Sequence, residues 1–242
     1  MEQHLRRLHR SMRELWIERM PIGQVEAAVY ETYAASEIPN AVVYFQVTRG
    51  VSARDYDFTP DLQPTLIVTA RILEPAPSEY AEQGVSAITY PEIRWGRVDI
   101  KSLNLLANMM AKKEAKERGA YEALFVTPQG WMTEGASTSL FIVQSGRLIT
   151  RELGTHILPG ITRELVLECA REAGFAVEER PFTREELLNA EEVFITGTTF
   201  GVYGVVRVDG RPIGEGVPGE RTRQLRALYL DRVAKNDDAP RS

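Results

Sequence analysis

Beyond residue 84 of this 242-residue chain, runs of β-branched and aromatic residues follow one another without a helix between each pair. Residues 123–126, 131–133 and 140–143 read as strands, and Ser145-Gly146 is a hairpin turn signal between apolar runs. Residues 193–196 and 202–208 read as two more, with Asp209-Gly210 as a tight turn. Neighbouring parallel strands need a crossover of a dozen or more residues, usually a helix. The sequence does not supply that alternation, so the pattern predicts an α+β fold with a mixed sheet rather than a doubly wound one.

Ahead of that region the chain is different in kind. Leu5, Leu8, Met12, Leu15 and Trp16 recur at near-helical spacing, and residues 24–36 give a second helix. Residues 41–48 and 64–72 read as strands. The stretch 74–80 (EPAPSEY) carries two prolines among small and acidic residues and is the candidate linker. The expected division is a small domain over 1–73, a linker over 74–80 and a larger domain over 81–242. In the larger part, residues 84–95 and 98–100 look extended. A helix follows to residue 118, with Ser102 or Asn104 as its cap and Gly119 closing it. Another helix spans 162–173, and 175–177 is extended. Thr183-Arg184-Glu185-Glu186 has the capping-box form. A last helix covers 220–234, with fraying expected from Lys235 to the end.

Composition narrows the class. A formal charge of −5 argues against a surface that coats nucleic acid. The single cysteine, Cys169, allows no intrachain disulfide and reads as a buried thiol. The longest apolar runs fall far short of the ~20 residues needed to cross a bilayer. Three histidines and no cysteine pair give no zinc pattern. The arginine-rich amino end lacks the form of a signal peptide, and a cytoplasmic enzyme is the expected class.

Four segments admit a chemical role. In Asp99-Ile100-Lys101-Ser102-Leu103-Asn104, Lys101 sits where a strand is expected to give way to an apolar helix. Desolvation there would lower the amine's pKa and favour nucleophilic attack on a carbonyl. The same segment also fits a lysine whose stem lies along apolar surface while its head stays in water. Glu134, in Thr133-Glu134-Gly135-Ala136-Ser137-Thr138, either directs a carboxylate under a ligand or sits in an ordinary turn. Gly160-Ile161-Thr162 opens a helix whose free amides suit an anion. Thr196-Gly197-Thr198-Thr199 ends a strand with hydroxyls and amides that either complete such a site or form a turn.

Taken together and in this order, the segments resemble a known family. HLRRLHRS, VYFQVTRGVSAR, EIRWGRVDIKSLNLLANMMAKKEAKERGAYEALF, TEGAST, ILPGITRE, FITGTT and VDGRPIGEGVPGERTRQL are similar to the D-alanine (D-amino-acid) aminotransferase branch of the fold-type IV pyridoxal-phosphate enzymes. The likeness runs over nearly the whole chain, and the DIKSLNLL run is its most specific part. It implies that Lys101 holds pyridoxal 5'-phosphate as a Schiff base and later shuttles the substrate's α-proton. It implies that Glu134 faces the pyridine nitrogen, and that Arg7, Ile161, Thr162 and Thr198 bind the phosphate. Arg54 matches the arginine of an Arg-X-His trap for the substrate carboxylate. The histidine's place is taken by Tyr56, which donates a hydrogen bond but carries no charge near neutrality. A bulky ring, Phe200, falls near the expected substrate pocket. The resemblance also implies amino-acid and 2-oxo-acid substrates and a homodimer with the Arg54 loop reaching into the neighbour's site. Family members begin with a β-hairpin and strand ahead of the HLRRL helix, so the first domain is expected to be incomplete. Other readings are a branched-chain aminotransferase, an aminodeoxychorismate lyase, or a non-catalytic relative.

Overall fold

The computed structural model describes residues 1–59 and 61–237. The chain divides into two compact units, Met1–Pro75 and Ala76–Ser242. In the first, helices α1 (Glu2–Glu14) and α2 (Ile22–Ser36) pack on a two-stranded antiparallel sheet of β1 (Ala41–Thr48) and β2 (Thr65–Ile72). Leu5, Met12, Ile17, Met20 and Val25 form its buried core, joined by Phe45, Val47 and Leu66 from the sheet. Leu5 and Met12 share one face of α1, Val25 comes from α2, and Ile17 and Met20 come from the segment between the helices, while Phe45 and Val47 are alternate positions of β1, as burial of one face requires.

The second unit holds α3 (Ser78–Glu82), β3 (Val85–Pro91), α4 (Leu106–Glu117), β4 (Glu122–Val126), β5 (Met132–Gly135), β6 (Ser139–Gln144) and β7 (Arg147–Thr150). They are followed by α5 (Ile161–Glu172), β8 (Val177–Glu179), α6 (Arg184–Leu188), β9 (Glu192–Gly197), β10 (Gly201–Val208), β11 (Arg211–Pro212) and α7 (Glu220–Asp237). Its sheet runs β5-β4-β3-β10-β9-β6-β7-β8, with β11 on β10. Parallel pairings (β3–β10, β3–β4, β7–β8) mix with antiparallel ones. This is the mixed sheet that the uneven succession of strands predicts.

Chain length forces that sheet to curl. Laid flat, β5 and β6 would lie five strand spacings apart, or roughly 24 Å. The chain joining them is residues 136–138, which spans at most ~14 Å from strand end to strand end. The sheet therefore bends back until β5 meets the start of β6. One face buries Leu124, Met132, Leu140, Ile195 and Tyr203. On the other, Phe141 and Phe194 stack at 4.7 Å beneath α5 and α7, and Ala123 and Phe125 pack under α4.

Several local expectations are corrected. Residues 98–100 form a turn rather than a strand, and α4 begins at Leu106 without a side-chain cap. The Ser102 hydroxyl accepts from the Asn104 amide at 3.4 Å instead, a local bond that competes with helix formation. Within the stretch 74–80, the candidate linker, α3 starts at Ser78. The last helix continues through Asp237, and residues 238–242, where fraying was also expected, lie outside the described residues. Ser145 and Gly146 both adopt positive φ in the β6–β7 hairpin, as a type I′ turn requires.

The capping box is present. Thr183 Oγ1 accepts from the Glu186 amide at 3.1 Å, and the Glu186 carboxylate accepts from the Thr183 amide at 2.8 Å. Thr183 also bridges to Trp131 just before β5. Replacing Thr183 with alanine is expected to cost about 1 kcal/mol. Urea unfolding would show this as a lower midpoint with an unchanged slope.

Candidate active site

Lys101 follows a turn that is pinned from several sides. Arg97 pairs with buried Asp99 at 2.9 and 3.0 Å, Ile100 is buried, and the Val98 amide donates to the Thr155 carbonyl at 3.2 Å. Downstream, the Asn108 side-chain amide donates to the Ala136 carbonyl at 2.7 Å, tying the first turn of α4 to the loop after β5. Lys101 itself is exposed. This corrects the expectation of a desolvated amine at a helix start. Because α4 begins only at Leu106, residues 101–105 stand off the core, and Leu103, Leu105 and Leu106 are exposed with the lysine.

Glu134, in β5, is buried. Its carboxylate accepts from Arg94 Nη1 at 2.6 Å and from the Leu158 backbone amide at 3.1 Å. Arg94, whose side chain is only 3% exposed, donates in parallel to Glu92 through Nε at 2.9 Å and Nη2 at 2.6 Å. Nη2 also donates to Thr133 Oγ1 and the His156 carbonyl. The guanidinium lies over the Phe125 ring at 4.3 Å. Such a fork geometry suits arginine and not lysine.

The charges do not balance, since two carboxylates share one guanidinium. Burial pushes Glu134 up to about 7, against the pull of Arg94 and the Leu158 amide. For Glu92 burial acts the same way, but its paired bonds to Arg94 outweigh it and hold the carboxyl below its usual value. Arg94 is raised: burial works against its charge, and the two carboxylates overcome that. The Glu134 end therefore accepts a further proton or a ligand that carries one. A protonated ring nitrogen meets that requirement.

One short segment links these parts to an anion site. Residues 155–158 bond the Lys101 turn through Thr155, Arg94 through His156 and Glu134 through Leu158. The chain then enters α5 at Gly160. The first intrahelical bond there runs from the Glu164 amide to the Gly160 carbonyl at 3.0 Å, leaving the Ile161 and Thr162 amides ahead of it. A Cβ on Gly160 would lie 2.5 Å from Ser139 Oγ, so the helix start closely approaches β6. Ser139 faces Thr196 across the β6–β9 register. The hydroxyls of Thr138 and Thr196 are buried without a hydrogen-bond partner. Thr138 Oγ1 lies against Gly135, whereas Thr196 pairs with the Ser139 that touches the helix start, and a helix start with an unsatisfied hydroxyl nearby fits a phosphate group. Thr162 bonds Tyr229 of α7, and Thr198 is exposed in the turn from β9 to β10. Phe200 stacks on Tyr203 at 4.5 Å and lies edge-on to Tyr121.

In the first unit, Arg7 is half-buried on α1. Arg54 and Tyr56 lie in the loop between β1 and β2, with Tyr56 99% exposed. Asp55 turns back on its own backbone, accepting from the Tyr56 amide at 2.6 Å. Its charge is thus engaged locally, as in an Asx turn.

Glu92 and Arg94 escaped the reading of the sequence as site residues. The signal for them was a Glu-Ile-Arg triplet just ahead of the lysine turn. In an extended segment, residues two apart face the same side.

Glu134 sets a testable pH dependence. Its folded-state pKa is raised, so the apo-protein binds a proton there that the unfolded chain has already lost. The associated stability is full below the ordinary value of 4.5 and is lost as pH rises to about 7. Its size is on the order of 3 kcal/mol. Melting of cofactor-free protein between pH 4.5 and 7 is expected to show this decline, and Glu134→Gln to remove it. Glu92, shifted the other way, acts below that window.

Comparison with known proteins identifies the family. Residues 1–208 match the family Amino-transferase class IV. A D-alanine aminotransferase of Bacillus licheniformis is 37% identical over 234 residues, 96% of this chain and 82% of that protein. One of Staphylococcus haemolyticus is 36% identical, covering 92% of this chain and 79% of that protein. Among solved structures, the branched-chain amino acid aminotransferase of Thermobaculum terrenum in its PLP-form superposes with a TM-score of 0.86 at 28% identity. That match covers 98% of this chain and 78% of the other. The Escherichia coli branched-chain enzyme gives 0.85 at 26%, covering 95% and 78%. The chain belongs to the class IV aminotransferase family.

Proposed function

We propose that this protein moves an amino group between a D-amino acid of the alanine or glutamate kind and a 2-oxo acid, using pyridoxal 5'-phosphate. The observation that carries the reading is the convergence on residues 155–158 of the Lys101 turn, the Glu134–Arg94 pair and the approach to the α5 start. The D-alanine aminotransferases at 36–37% identity support the substrate class.

When bound, the cofactor supplies a conjugated ring that accommodates the electron pair left as the substrate's α-proton departs. Side chains do the rest. Lys101 Nζ would hold the cofactor aldehyde and, beside the substrate's α-carbon, would take the α-proton and return it nearby. A positioned base of this kind contributes ~10²–10⁴ in rate. Glu134 keeps the ring nitrogen protonated, and Arg94 keeps Glu134 in place. The amides of Ile161 and Thr162, with Thr198 and Arg7, hold the phosphate. Arg54 pairs with the substrate carboxylate, and Tyr56 offers it a neutral donor where the family has a histidine. The same resemblance supports a cytoplasmic homodimer.

A branched-chain L-specific reading has one observation in its favour, the superposition on branched-chain enzymes. Holoenzyme supplied with D-alanine and 2-oxoglutarate is expected to release pyruvate, with L-leucine a poor donor. Turnover of L-leucine alone would overturn the D-specific reading. Lys101→Ala is expected to lower turnover by at least ~10³ and to abolish borohydride-dependent fixation of the cofactor.

A further inference from the structure

Residues 49–64 join β1 to β2 and carry Arg54 and Tyr56. Residues 51–59 are all exposed, so burial does little to fix their pose. The loop is instead fastened at both ends to the segment that follows α1.

The first fastening is Arg49. α1 ends in a Schellman arrangement, with the Trp16 amide on the Arg13 carbonyl at 3.0 Å and the Ile17 amide on the Met12 carbonyl at 2.9 Å. The carbonyls of Leu15 and Trp16, at the negative end of the helix, both accept from the Arg49 guanidinium, Trp16 at 3.2 Å. The face of that guanidinium lies 3.8 Å from the Phe58 ring centroid, on the far limb of the loop. Trp16 completes the stack, its ring 5.5 Å from Phe58. The second fastening is Arg19, which bonds the Asp61 carboxylate and, at 3.3 Å, the Asp61 carbonyl.

Trp16 sits at the C′ position with φ +53°, where glycine is the usual residue. Its ring is 65% exposed, so burial does not account for a large aromatic there. Contact with Phe58 does.

We infer that Arg49, stacked on Phe58 and bonded to the end of α1, is a positioning residue for Arg54 that sets how tightly the substrate carboxylate is held. This rests on the reading of Arg54 as the carboxylate's partner. The clamp joins the limb ahead of Arg54 to the limb beyond Tyr56, so both residues lie in the span between its two ends. Misplacement of a binding group by an ångström is enough to cost a large factor in rate or affinity.

The test is a cycle of holoenzyme variants, Arg49→Gln, Arg54→Gln and both together, assayed with D-alanine and 2-oxoglutarate. Arg49→Gln is expected to raise KM for both substrates about tenfold with kcat within about twofold and the cofactor absorbance band unchanged. It should add nothing in the Arg54→Gln background. Phe58→Ala should reproduce the effect without removing the helix cap, and Phe58→Tyr should keep wild-type KM. Chymotryptic cleavage after Tyr56 should quicken in Arg49→Gln and Phe58→Ala but not in Phe58→Tyr. If Arg54→Gln raises KM while Arg49→Gln and Phe58→Ala do not, the clamp has no such role. If Arg54→Gln leaves KM untouched, the carboxylate reading fails and takes this inference with it. Loss of kcat and cofactor together in Arg49→Gln would mark a general folding defect and also overturn it.

Discussion

A carboxylate buried in the wall of a folded protein is the constraint around which this site is arranged. Ionised and unaccompanied, Glu134 would cost several kcal/mol to remove from water. Arg94 and the Leu158 amide offset part of that cost, but Arg94 is shared with Glu92. Three charged groups, one of them positive, leave room for one more proton. Satisfying Glu134 also recruits structure from three directions: the end of β3 for Glu92 and Arg94, β5 for Glu134 itself, and the approach to α5 for the amide. The curl of the sheet is what brings those three together.

The sequence makes legible what depends on residue type and order. The glycine ahead of α5 was legible as a helix start because the segment 160–162 is local, and the glutamate at 134 stood out because it lies among small residues in an apolar stretch. Thr183's capping box and the Ser145-Gly146 turn are legible for the same reason, being set within a few residues. What was missed is set by distant partners. Arg94 meets Glu134 and Phe125, far along the chain. The start of α4 was misjudged because Ser102 satisfies the Asn104 amide in the turn instead of capping a helix. The exposure of Lys101 followed from that same shift. The clamp of Arg49 on Phe58 and the end of α1 has no periodic signature either.

Lys101 follows a fastened turn. The backbone is held before it by Val98 and Asp99 and after it by Asn108, yet the side chain emerges from a segment that stands away from the core. Glu134 is the opposite case, locked in place by bonds to both a side chain and the backbone.

The pairing of β3 with β10 has a consequence for biosynthesis. Residue 85 lies beside residue 205, so the strand that completes the middle of the sheet leaves the ribosome long after its partner β3. Contacts between such distant segments form slowly, because the intervening loop must close before they gain anything. Until β10 arrives, β3-β4-β5 on one side and the β6–β9 pair on the other are open fragments with unpaired edges. Shielding of those edges therefore waits until residues 201–208 have been made.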